Sequence, residues 1–359
     1  MKKIVLMVLF FILFLVLAVQ AEKVGELTDL ARPQGMIVKQ NRLYVIEGAR
    51  LFSYRLPSLH LVKTFGKEGE GPGELQTHAL LPNRIVPCSS GLMVEGLVKI
   101  MLVSPDLELI REIRKRGVAY QLYRLKPFGQ GFVGVRMVIE NPKIFLTLTL
   151  FDGEMKVVKD LYRQETVDRD KEVIMVRDTI HYQVHSDRLY VEESEGGFRI
   201  GVYSGKGERI KRIKHERPGR KLTGADRDAI LEDLRADNMI SRIIKSQGGW
   251  VNFKKQATFT FPETFPAIKD LLVDGDKLYV LTFHHRESRE EWVVLDLNGR
   301  VLGVAYLPKP RQSSFTLRSL GRENRFFAIA DSTFYYLMED DENEVWALHR
   351  EKIKLEECN

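Results

Sequence analysis

Cysteine is nearly absent from this chain: two residues in 359, Cys88 and Cys358. A protein of this length with so few thiols is not held together by disulfides. One bridge between them would need Cα atoms within about 7 Å, and the repeat spacing puts them in non-adjacent units. The motifs of several enzyme classes are also missing. There is no His-Glu-x-x-His, no Gly-x-Ser-x-Gly and no Cys-x-x-Cys, so zincin, α/β-hydrolase and thiol–zinc chemistries have no residues to stand on. The EF-hand alternation is missing as well, Glu339–Glu344 lacking its central glycine. The formal charge of +6 is too mild to argue for nucleic acid. After Val19 no apolar run is long enough to cross a bilayer.

The one long apolar run is N-terminal. Met1-Lys2-Lys3 leads into sixteen apolar residues, Ile4 to Val19, followed by Gln20-Ala21. A basic start, an apolar core and a small residue at a cut after Ala21 describe a secretory signal peptide. Residues 1–21 are therefore expected to be removed, leaving a chain of residues 22–359 exported to the periplasm or the extracellular space, with no membrane span after cleavage. Left uncleaved, the segment would be an N-terminal membrane anchor. Glu22, not Cys, follows the cut, which excludes lipid attachment there.

Glycine is concentrated in one place. Phe65-Gly66-Lys67-Glu68-Gly69-Glu70-Gly71-Pro72-Gly73-Glu74-Leu75 cannot be a helix or strand interior. A phosphate-cradling loop needs a helix opening directly behind it; Pro82 stands in the way and no Gly-Lys-Ser/Thr follows. Gly66, Gly69, Gly71, Pro72, Gly73 and Glu74 thus read as a structural turn. A second pattern recurs along the chain, a polar turn followed by a large apolar residue that opens a strand. It occurs at Leu43, Leu92, Phe132, Leu189, Leu278 and Phe334, at intervals of about 40–57 residues with one of about 89. Six units of this length, each built of strands, predict an all-β six-bladed propeller. The fifth unit shows its internal order: Lys269–Asp274, Leu278–Thr282, Trp292–Asp296 and Val301–Leu307, with Asn298-Gly299 read as a tight hairpin turn having φ > 0 at both residues. The sixth lacks an outer strand, which the segment near Lys23–Leu30 would supply.

The long interval holds an insertion between units 4 and 5. Thr223 and Asp226 form a capping-box pattern, and Ile230, Leu231, Leu234, Ile240, Ile243 and Ile244 recur at helical spacing. A helix is predicted over 223–247, broken near Asp237-Asn238 and stopped by Gly248-Gly249, with its apolar face on the propeller. Residues 206–221 carry eight Lys or Arg against two Glu; the alternation Arg209-Ile210-Lys211-Arg212-Ile213-Lys214 fits an outer strand whose charges block edge pairing.

The Gly-rich segment resembles the one that introduces blades in bacterial secreted six-bladed β-propellers related to the NHL repeat. That resemblance implies a common face where loops before the inner strands and loops between second and third strands open. In this chain the second strand is followed by Glu47, Glu95, Glu140, Glu192 and Glu339, and in the fifth unit by His284, His285 and Arg286. A carboxylate ring around a tunnel would hold a hard cation, making Ca or Zn possible, or a cationic ligand. His181 and His185, four apart in a strand, are about 13 Å apart and cannot share an ion. The expected function is a non-catalytic binding or interaction module for a small-molecule, glycan or protein ligand. The alternative is a metal-dependent lyase or hydrolase on the tunnel face.

Overall fold

The computed structural model describes residues 21–78, 81–115, 122–140, 143–167, 172–176, 180–193, 197–256, 258–310, 324–340 and 343–357. Its strands form six four-stranded antiparallel sheets, the blades of a propeller. From inside outward, blade 1 is Gly35–Lys39, Arg42–Glu47, Arg50–Arg55 and His60–Phe65; blade 2 is Arg84–Cys88, Gly91–Glu95, Lys99–Val103 and Leu109–Arg114. Blade 3 is Leu122–Phe128, Gly131–Glu140, Lys143–Phe151 and Val157–Val167. Blade 4 is Tyr182–His185, Arg188–Glu192, Phe198–Ser204 and Arg209–His215; blade 5 is Asp270–Asp274, Lys277–Arg286, Arg289–Asp296 and Val301–Pro308. Blade 6 runs Phe327–Ala330, Thr333–Asp340 and Val345–Lys352, and its fourth strand is the N-terminal Glu22–Leu27. Each innermost strand neighbours the next, and the sixth neighbours the first, so the ring is closed around a central channel.

Blade-to-blade burial holds the ring. Apolar residues of the second and third strands interdigitate with the next blade: Tyr44, Ile46 and Leu51 of blade 1 pack on Leu92, Val94 and Met101 of blade 2, and Tyr190, Ile200 and Val202 of blade 4 on Leu278, Val280 and Val293 of blade 5. These strands are buried on both faces, which is why they read as continuous apolar runs. At the closure, Leu27 and Leu30 join Leu337, Trp346 and Leu348 in one cluster with Leu43 and Tyr54 of blade 1.

A feature not legible in the sequence repeats in all six blades. The outer strand carries a one-residue bulge at the same level, leaving Val62, Ile110, Val158, Ile210, Leu302 and Val24 unpaired. The bulge turns the following residue towards the next blade. Lys63 meets Glu108 at 3.8 Å, and Arg111 meets Glu154 at 3.1 Å. Lys159 Nζ donates to the Gly207 carbonyl (3.0 Å), and Lys211 Nζ donates to Asn298 Oδ1 (3.2 Å). In blades 5 and 6 the same position is Gly303, pressed against the backbone of the C-terminal segment, and Gly25, which lies against the Leu59 side chain. A Cβ on Gly303 would sit 2.6 Å from the Glu356 carbonyl oxygen, at φ +153°. Gly303→Val is therefore expected to destabilise the fold by about 1–3 kcal/mol. A denaturant midpoint unchanged from wild type would show that the peripheral latch carries no weight.

The insertion between blades 4 and 5 contains three helices where one, broken, is predicted: α1 (Gly224–Ala236), α2 (Asn238–Ser246) and α3 (Trp250–Gln256). Thr223 and Asp226 make the capping box, and the break falls at Asp237, whose carboxylate accepts from the Ile240 amide at 3.1 Å. Gly248 and Gly249 end α2 at φ +78° and +98°. The short α3 carries too few turns to show a periodicity. Its Trp250 stacks with Phe253 and with Phe259, and Thr258–Thr260 pairs in parallel with Glu172–Ile174. Arg220 ties the bundle to the propeller: it forks onto Asp226 (2.7 and 2.9 Å) and lies over Phe265, which stacks on Phe283 of blade 5.

The turn at Asn298-Gly299 differs from the two-residue hairpin expected. Only Gly299 takes positive φ, and Asp296 accepts from the amides of Asn298 and Arg300 across a four-residue loop. The Asp296 side chain supplies the closure that an Asn-Gly pair would otherwise supply by itself.

Candidate functional site

The innermost strands begin at the same end of the channel, and unusual residues occupy those starts. Apolar runs carry a charge at Arg84, Arg124, Lys126, Asp270 and, just before the sixth inner strand, Arg325. In blade 2, Arg84 Nη1 donates to Glu95 Oε2 (2.8 Å), Lys115 Nζ donates to Glu95 Oε1 (3.1 Å), and the Leu125 amide of blade 3 adds a third bond to Oε2 (3.0 Å). Across the ring, Arg325 forks onto Asp270 (2.7 and 2.5 Å) and also donates to the Leu271 carbonyl. His181 Nδ1 lies 3.5 Å from Asp270, and its Nε2 lies 3.9 Å from Glu192. Asn324 Nδ2 donates to the Asn83 carbonyl (2.9 Å), linking blades 6 and 2 directly behind Gly35.

Blade 3 contributes differently. Arg124 takes φ +55° at a bulge between Tyr123 and Lys126, which lets both its own side chain and that of Lys126 reach blade 4. Arg124 donates to the Ile180 carbonyl. Lys126 Nζ donates to the Tyr182 carbonyl and to Gln183 Oε1, both at 2.7 Å, while Gln183 Nε2 donates to the Leu271 carbonyl at 2.5 Å and so fixes its amide. The Tyr182 ring lies beside both cations, 5.5 Å from Arg124 and 4.9 Å from Lys126.

The electrostatics follow from this crowding. Burial, reinforced by the Arg325, Arg84 and Arg124 charges, pushes the Lys126 amine well below its ordinary value. Burial also lowers His181, with Arg124 and Arg325 adding to it against the pull of Asp270, so the imidazole is neutral at pH 7. Burial opposes ionisation of Asp270, but the Arg325 charge and bonds from His181 and Arg325 outweigh it and hold the carboxyl far below the usual range. Burial raises the Tyr182 phenol, keeping its proton on.

Of the sequence-predicted carboxylates, two lie in this layer. Glu95 and Glu192 are buried, Glu192 being the last residue of its strand and donating its amide to the carbonyl of His181, just before the inner strand (2.8 Å). Glu47 accepts from the amides of Ala31 and Arg32, fixing the segment that leaves the closing strand. Glu140 and Glu339 are elsewhere. The second strands of blades 3 and 6 run on beyond the inner strand, so Glu140 is exposed opposite Lys143 and paired with Arg163 (2.6 Å), and Glu339 is exposed opposite Trp346. The second strand of blade 5 is extended likewise. His284 contacts the Pro218 carbonyl (3.2 Å), His285 is exposed opposite Glu290, and Arg286 pairs with Glu356 (3.0 Å) over the Tyr306 ring. The five carboxylates and the histidines therefore do not form a cation ring. Among the described residues no three of His, Cys, Asp or Glu gather to hold Ca or Zn.

The Gly-rich segment lies between blades 1 and 2. Gly66 takes φ +86°, where a Cβ would meet the Ala49 carbonyl oxygen at 2.5 Å. Lys67–Glu68 then pairs in parallel with Glu74–Leu75, enclosing Gly69, Gly71, Pro72 and Gly73. Glu74 accepts from Lys67 (2.9 Å) and the Gly71 amide (2.8 Å), and Lys99 donates to the Gly71 carbonyl. Its polar groups are turned inward on the loop itself. Cys88 is a free thiol, and Cys358 lies outside the described residues. Arg84, Arg124, Lys126 and Arg325 escaped the sequence reading, although a basic residue inside an apolar inner-strand run is itself a signal.

No family model matches the chain, and no curated protein matches it. Solved structures that resemble it include a calcium-binding regucalcin from Agrobacterium tumefaciens, at 10% identity over 95% of this chain and 97% of that one with a TM-score of 0.42. The WD40 domain of Pan2 from Neurospora crassa matches at 10% identity over 94% and 98%, with a TM-score of 0.39. A protein of unknown function from Bacteroides caccae matches at 9% identity over 77% and 82%, again with a TM-score of 0.39.

Proposed function

We propose that the protein is an exported binding module, without catalysis of its own, whose ligand docks at the channel mouth where the inner strands begin. One observation carries this reading: charged and hydrogen-bonding groups from blades 2 to 6 converge there, and donors remain unspent after the internal bonds are made. The carboxylates that general acid–base chemistry or a metal would need are locked to cations, Glu95 by Arg84 and Lys115 and Asp270 by Arg325. Small-molecule, glycan and protein ligands all remain within reach of such a mouth. Export rests on residues 1–21, and kinship with NHL-related bacterial propellers on the Gly-rich segment; neither helix length nor hydropathy gives any described helix a membrane span.

The test is retention. The protein recovered from its exporting host is desalted, denatured and extracted, beside an Arg325→Gln variant. A molecule held in stoichiometric amount by wild type, lost from the variant and recovered unchanged after long incubation is the expected result. Conversion of that molecule would overturn the non-catalytic reading, and equal retention by the variant would move the site away from the channel. Intact mass beginning at Glu22 checks export.

A further inference from the structure

We propose that the channel mouth binds an oxyanion, a carboxylate or phosphate group, between Arg124, Lys126, Arg84 and the Tyr182 hydroxyl; this rests on the channel mouth being the ligand site. Four cationic side chains, Arg84, Arg124, Lys126 and Arg325, sit within electrostatic reach of one another. The nearby carboxylates are already committed. Glu95 is shared by Arg84 and Lys115, and Asp270 is taken by both arms of Arg325. Among the described residues Arg124 and Lys126 pair with no carboxylate and give their hydrogens to carbonyl oxygens instead. Burying the Arg124 charge in that state, beside Arg84 and Arg325, is costly, and a counter-ion relieves the cost.

The unspent hydrogen-bond groups match that counter-ion. Tyr182 is 3% exposed, and its hydroxyl, Arg124 Nε and Arg84 Nε are all buried without a hydrogen-bond partner among the described residues. Two of these three are guanidinium N–H donors and the third is a hydroxyl that keeps its proton. An oxyanion accepts from all three, whereas a metal ion would be repelled and a neutral sugar would leave the charges unrelieved. Arg124 and Arg325 are only partly buried, so each keeps some surface open to solvent.

A coupled proton follows. Lys126 is faced by Arg124 on its own strand, Tyr182 from blade 4, Arg84 from blade 2, Asp270 from blade 5 and Arg325 from blade 6. An anion placed among them raises the amine towards its ordinary value, so binding takes up a proton and tightens as pH falls.

The probes are inorganic phosphate, sulfate, acetate and oxalate, titrated into the exported protein at constant ionic strength and followed by calorimetry and melting temperature. Saturable stabilisation by at least one is expected, with Kd raised about tenfold or more in Arg124→Gln and in Tyr182→Phe. The order of phosphate against oxalate distinguishes the two sources of the group. Proton uptake, read from heats in two buffers of different ionisation enthalpy, should vanish in Lys126→Met, which keeps the side-chain volume and whose folding is checked by its melting temperature. If no probe binds while a neutral ligand is lost from Arg325→Gln, the oxyanion inference falls and the channel reading stands. If a probe binds equally to wild type and every channel variant, both fall.

Discussion

Asp270→Asn is expected to cost about 3 kcal/mol of stability at pH 7, because it removes the carboxylate onto which both arms of the partly buried Arg325 fork, among the charges of Arg124, Arg84 and Lys126. The wild-type carboxyl is held far below its unfolded value, so the stability it supplies is whole above about pH 5. It is lost as pH falls through 4 towards the folded value. The variant should therefore be less stable at neutral pH and lose less stability on acidification, so that the gap between the two curves narrows steadily as pH falls below about 4. Urea titrations at half-unit pH steps check this. A difference independent of pH would mean that the asparagine is disturbing packing and not charge.

Removal of Glu22–Leu27 is expected to have the other large effect. This strand is the fourth of blade 6 and pairs Leu27 with Trp346 across the closure. Leu27 is 1% exposed and belongs to the cluster that joins blade 6 to blade 1. Its loss uncovers apolar surface worth about 2–5 kcal/mol for the leucine alone. It also bares the edge of Val345–Lys352 as a template for another chain. A protein beginning at Thr28 should melt at markedly lower temperature and aggregate on heating. Unaltered cooperativity and solubility would show that the ring does not depend on this closure. Because the putting-together of first and last strands is a ring property, Leu27→Asp should reproduce most of the effect without shortening the chain.

How much of this was readable beforehand differs by element. The period of the turn-then-strand pattern at Leu43, Leu92, Phe132, Leu189, Leu278 and Phe334 determines six blades, since each marker opens a second strand in its own sheet. The capping box at Thr223 and the break at Asp237 are local hydrogen-bonding choices, and local choices are visible in sequence. The third helix and the six outer-strand bulges are not visible. A bulge is a mismatch between two strands, and only pairing reveals that Ile110 or Val158 has no partner.

For the site, residue type was visible and depth was not. Glu95, Glu140, Glu192 and Glu339 look alike in sequence, each after an apolar second strand. Strand length separates them: where the strand stops level with the inner strand the carboxylate is buried, and where it runs on, the carboxylate reaches solvent. The sequence by itself determined the fold, because strand periodicity and turn chemistry act over a few residues. Only the tertiary structure decided that Arg84, Arg124, Lys126, Tyr182, Asp270 and Arg325, from five blades, meet in one buried layer. That meeting follows from ring closure, which brings residues 241 positions apart into hydrogen-bond contact between Asn324 and Asn83, and 328 apart between Arg350 and Glu22.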